Sequence, residues 1–81
     1  MHSAKEILDH QFLEMRWRCL SLAADLDRIQ RAPAGDKLIE SDPRLQRLSQ
    51  AIAELLEPDS NRAENVQAIF SDITPPPIVL K

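Results

Sequence analysis

From Ser3 to Ala32 the chain runs without a single glycine or proline. Leu, Met, Ala, Glu, Arg and Gln dominate the stretch, and these residues lose least on entering a helix. An uninterrupted segment of this length constrains the fold more than any other feature. The rest of the chain must be organised around one long helix.

Stepping roughly 100° per residue puts Ala4, Ile7, Leu8, Phe12, Met15, Cys19, Leu22, Ala23, Leu26 and Ile29 on one broad stripe. That is core patterning. Leu13, Trp17, Leu20 and Ala24 follow an i, i+4, i+7, i+11 spacing and form a second stripe roughly opposite the first. Polar seams separate the two: His10, Glu14, Arg18, Ser21, Asp25 and Arg28 on one side, Asp9, Arg16 and Asp27 on the other. A surface helix of a monomer needs one apolar stripe. Two stripes imply either that the chain sandwiches its own first helix or that the second stripe meets another molecule.

With 81 residues there is room for one domain, and its core is modest enough for association to supplement it. The chain is 43% hydrophobic and 28% charged, which suits a folded protein rather than a disordered one. A net charge of -3 argues against a phosphate-backbone binder, since counterion release needs several cations on one side. Arg16, Arg18, Arg44 and Arg47 are the cations a nucleic-acid reading would use, and Arg16-Trp17-Arg18 splits across three faces once helical. No nucleic-acid partner is therefore expected. Cys19 is the only cysteine, so it is expected as a small buried hydrophobe in a reducing compartment. Met1-His2-Ser3-Ala4-Lys5 carries no signal-peptide architecture, and no apolar run approaches the roughly 20 residues of a membrane span. The expectation is a cytoplasmic protein without a membrane partner.

Taken in order, Ser3 and Glu6 match a capping box that opens the first helix, which spans about 3–31. Ala32-Pro33-Ala34-Gly35-Asp36 stops it, with Gly35 expected to supply the left-handed position of the turn. Lys37 to Ser41 suits either one helical turn or an extended piece. Asp42-Pro43 opens a second helix, about 43–57, as N-cap and first helical residue. Its stripe is Leu45, Leu48, Ile52, Leu55 and Leu56, with Arg44, Arg47, Gln50 and Glu54 mostly outward. Asn61 and Glu64 match a capping box for a third helix, about 61–71, which is short and should depend on docking against the first. The tail, 73–81, holds Pro75-Pro76-Pro77, which favours polyproline II, then Ile78-Val79-Leu80, expected to dock on the body or on a neighbour.

The chemistry-bearing residues are sparse. His10 and Glu14 stand one helical turn apart and could share a divalent metal, but the later helices offer no histidine to complete a site. A surface ladder, His10-Glu14-Arg18, is the simpler reading. The serines have only His2 and His10 as imidazole partners, in no nucleophile-base arrangement, and no glycine-rich phosphate loop is present. No enzyme activity and no cofactor is expected. The reading is an all-α, three-helix domain with one long N-terminal helix, two shorter ones and a Pro-rich apolar tail. Its expected role is protein-protein association, with a second copy or another helical protein, through Leu13, Trp17, Leu20, Ala24, Ile78, Val79 and Leu80. The alternative is a small ligand- or metal-binding protein with a site near His10 and Glu14.

Overall fold

A computed structural model describes residues 1–71, and these are all-α: four helices and no strand among the described residues. The chain divides into two compact units, Met1–Asp36 and Lys37–Lys81.

The first unit is essentially one helix, α1, Ala4–Arg31. Its start is the predicted capping box: Ser3 Oγ accepts from the Glu6 N–H at 3.1 Å, and Glu6 Oε1 accepts from the Ser3 N–H at 2.8 Å. Two of the four N–H groups that a helix start leaves open are thereby engaged or shielded. Along the surface, ion pairs one turn apart join Lys5 to Asp9 at 2.9 Å, Glu14 to Arg18 at 3.7 Å and Asp27 to Arg31 at 3.9 Å, and Asp25 pairs with Arg28. Each adds a few tenths of a kcal/mol at most, since both partners are exposed. Arg28 and Arg31 also sit where cations favour the negative helix end.

The end of α1 departs from expectation. Ala32 turns extended and Pro33 blocks continuation, as predicted. The left-handed position, however, falls on Ala34, with φ 67, and not on Gly35. Gly35 serves closeness instead. A Cβ there would lie 2.0 Å from the Ile29 carbonyl oxygen and 2.6 Å from that of Gln30. The turn folds back so tightly on the last carbonyls of α1 that space, rather than backbone freedom, demands glycine. Ala34, left-handed without being glycine, carries a strain on the order of 1 kcal/mol. The Gly35 N–H donates to the Ala32 carbonyl at 2.9 Å, and Gln30 Nε2 donates to Asp36 Oδ1 at 3.0 Å.

A short helix, α2, spans Gly35–Ser41 and resolves the ambiguous stretch as helical. In the second unit α3 spans Pro43–Glu54 and α4 spans Arg62–Ser71. Asp42 caps α3, its Oδ1 accepting from the Arg44 N–H at 2.8 Å, with Pro43 opening the helix. The sequence predicts α3 to reach residue 57, but it stops at Glu54. Pro58 has no N–H to return to the Glu54 carbonyl and disfavours helical backbone at the residue before it. The Arg62 guanidinium takes up the loose carbonyls of Leu55, at 3.0 Å, and Glu57. The predicted Asn61–Glu64 box does not form, because the Asn61 N–H donates to Asp59 Oδ1 at 3.0 Å instead.

The packing partner of α4 within its unit is α3. Ala51, only 5% exposed, is the buried side chain of the pair, and Leu45, Leu48, Val66 and Ile69 are half-buried around it. A small residue at that point lets two helices approach closely, and longer neighbours fill the rim. Asn65 Nδ2 donates to Glu54 Oε2 at 2.7 Å across the pair. Glu54 and Arg47, expected mostly outward, are half-buried instead.

Candidate functional site

The predicted second stripe stands open on α1. Leu13 is 73% exposed, Trp17 65% and Leu20 48%, and Ala24 is exposed as well. Helical spacing brings these four to one face because α1 is unbroken from Ser3 onwards. Trp17 forms a ridge between two shallow grooves. Leu13, Arg16 and Leu20 line one with it, and Glu14, Arg18 and Ser21 the other. The face thus offers a large apolar ring flanked by charges of both signs.

The main stripe departs from its expected role. Within the first unit no residue of α1 is buried, so this stripe meets no core there. Phe12 is 53% exposed, Leu8 and Met15 are similarly open, and only Leu22, Leu26 and Ile29 are half-buried. Cys19, expected to be buried there, is exposed. Burial needs a second surface at packing distance, and the first unit supplies no such layer among the described residues. Periodicity alone assigns the stripe to a core; its openness is a tertiary fact. Leu55 and Leu56 of the second unit, expected on the inner stripe of α3, are exposed as well, since they follow the end of that helix. Ile78, Val79 and Leu80, with the proline run before them, lie outside the described residues.

Glu14 pairs with Arg18, and the His10 ring lies 6.2 Å from that of His2 in a tilted arrangement. Among the described residues no group of three or more His, Cys, Asp or Glu is placed to hold a metal ion. The strongest electrostatic perturbation lies at a helix cap. The Arg44 side chain, donating from Nε at 3.0 Å and Nη2 at 2.9 Å, and then the Arg44 N–H hold the Asp42 carboxyl down from 3.8 to about 2. Asp42 in turn raises the Arg44 guanidinium above its ordinary value. This is structural chemistry, serving to start α3. No helix of the described residues is long and apolar enough to cross a membrane.

The chain matches no family model, no curated protein and no solved structure.

Proposed function

We propose that the protein is a non-enzymatic protein-protein interaction module that associates with a second copy of itself through Leu13, Trp17, Leu20 and Ala24 of α1. The observation that carries this reading is Trp17, 65% exposed on a ridge between two grooves. A tryptophan in that setting loses the most water-exposed apolar area when a helix docks on it, and tryptophans dominate the energetics of such contacts. A cytoplasmic setting suits the single exposed cysteine, which a reducing compartment keeps as a thiol.

Sedimentation equilibrium over a broad concentration range tests the reading. The natural chain should associate, and Trp17→Ala should weaken association by about 2 kcal/mol, or roughly thirtyfold in Kd. Its helical circular dichroism should stay unchanged. A chain that is monomeric throughout, or a variant that associates as well as the natural chain, would refute the proposal.

A further inference from the structure

Counted from Leu8, the main stripe of α1 runs Leu8, Phe12, Met15, Cys19, Leu22, Leu26, Ile29, in steps of four and three that alternate without a break. That is a 7-residue period, the repeat that keeps one seam facing a partner helix along its whole length. The seam is most open in its N-terminal half, at Leu8, Phe12, Met15 and Cys19. Asp9 and Arg16 line one edge of that half, Gln11 and Arg18 the other.

Arg16 stands apart from the other arginines of α1. Arg18, Arg28 and Arg31 each pair with a carboxylate three or four residues back. The residues at those distances from Arg16 are Phe12, Leu13, Cys19 and Leu20, none of them acidic, and Arg16 takes part in no ion pair among the described residues. Arg16 is thus free to pair with a carboxylate on whatever covers the seam.

We infer that a second copy of α1 covers it, running antiparallel, with the two-fold axis passing between Phe12 and Met15. In that register Phe12 packs on Met15 of the second copy, an aromatic-sulfur contact. Leu8 packs on Cys19 of the second copy. Arg16 meets Asp9 of the second copy, whose carboxylate has acceptor capacity beyond Lys5. Symmetry makes each contact twice, and Arg18 falls beside the neutral Gln11. Other arrangements fare worse. Shifting the axis by half a repeat sets Arg16 against Arg16 and Arg18 against Arg18. A full repeat leaves Arg16 facing Ala23, with no carboxylate opposite it. A parallel, in-register pair leaves Arg16 beside Gln11 and stacks Cys19 on Cys19. Charge complementarity of the seam with itself thus supports a second copy as the occupant and sets its direction.

This inference rests on the reading of the protein as self-associating, but assigns a contact to the face opposite Trp17. Two self-contacts on opposite sides of one helix do not close at a dimer, so the natural chain should grow beyond dimers at high concentration.

The test is cross-linking in a Trp17→Ala background, which silences the other face. Adding Leu8→Cys and treating with a short thiol-to-thiol cross-linker should give dimers whose linked peptides join position 8 to Cys19, because paired helices lie about 8–10 Å apart. Cys19→Ser should abolish them. Arg16→Glu should cut the yield about tenfold, through loss of two ion pairs. Linkage of Cys19 to Cys19 as the sole product would overturn the antiparallel pairing. Absence of any cross-link, in a chain that sediments as a Trp17-dependent dimer, would overturn this inference and leave the Trp17 contact standing. A position 8 to Cys19 link, with association indifferent to Trp17→Ala, would establish the seam and remove the other face.

Discussion

Helix α1 and the α3–α4 pair are built from similar residues and stabilised in different ways. α1 is the longer element, with apolar residues on two faces, and buries none of them. The α3–α4 pair, with a narrower apolar inventory, buries Ala51 and half-buries four neighbours. In α1 what is visible is local: a capping box, i, i+3 and i, i+4 ion pairs and a tightly turned end. In the pair it is side-chain packing between two helices, with one cross-helix hydrogen bond. Apolar content therefore does not decide burial; a facing surface does.

The contrast can be broken at its strongest point by Ala51→Leu. The larger side chain has no room between α3 and α4, and overpacking of this kind costs about 1–3 kcal/mol. Amide hydrogen exchange should show α3 and α4 losing protection while α1 keeps its own. An equal loss in α1 would end the distinction.

Gly35→Ala probes the one place where the first unit is tightly packed, backbone against backbone. A methyl 2.0 Å from a carbonyl oxygen forces the turn open, so a loss of about 2 kcal/mol is expected, confined to the last turn of α1 and the start of α2. Urea unfolding together with exchange at Ile29 to Asp36 would read it. Ser3→Ala should cost about 1 kcal/mol of α1 stability through loss of the cap. The signature is fraying of the first turn in carbon chemical shifts, with α4 unaffected.

The smallest effect expected is acid dependence at α3. The folded state holds the Asp42 carboxyl at about 2 against an ordinary 3.8, so the cap contributes above pH about 4 and its contribution fades as pH falls to about 2. Asp42→Asn should remove the part of the acid response of α3 that lies in that window. An unchanged pH profile in the variant would show that the Asp42–Arg44 contact does not couple to helix stability.

Much of this molecule is legible in its residues, for identifiable reasons. Ser3 with Glu6, Pro33, and Asp42 with Pro43 act within a few residues, so their spacing alone marks where α1 begins and ends and where α3 begins. Asn61 with Glu64 has the same spacing and fails, because Asp59 is two residues away and takes the same N–H first. The end of α3 is missed for a similar reason: the capture of its loose carbonyls by Arg62 is a contact across the loop. Gly35 is recognisable as special, but a single glycine does not say whether backbone freedom or space makes it necessary.

By itself the sequence determined the helical class, the length of α1, its two faces and the residues on each. These follow from propensity, capping and the 3.6-residue turn, all properties of neighbours along the chain. Only the tertiary structure decided which apolar residues are covered. That depends on another surface arriving at packing distance: within the second unit α3 meets α4, and within the first no layer covers Leu8, Phe12, Leu13 and Trp17 among the described residues.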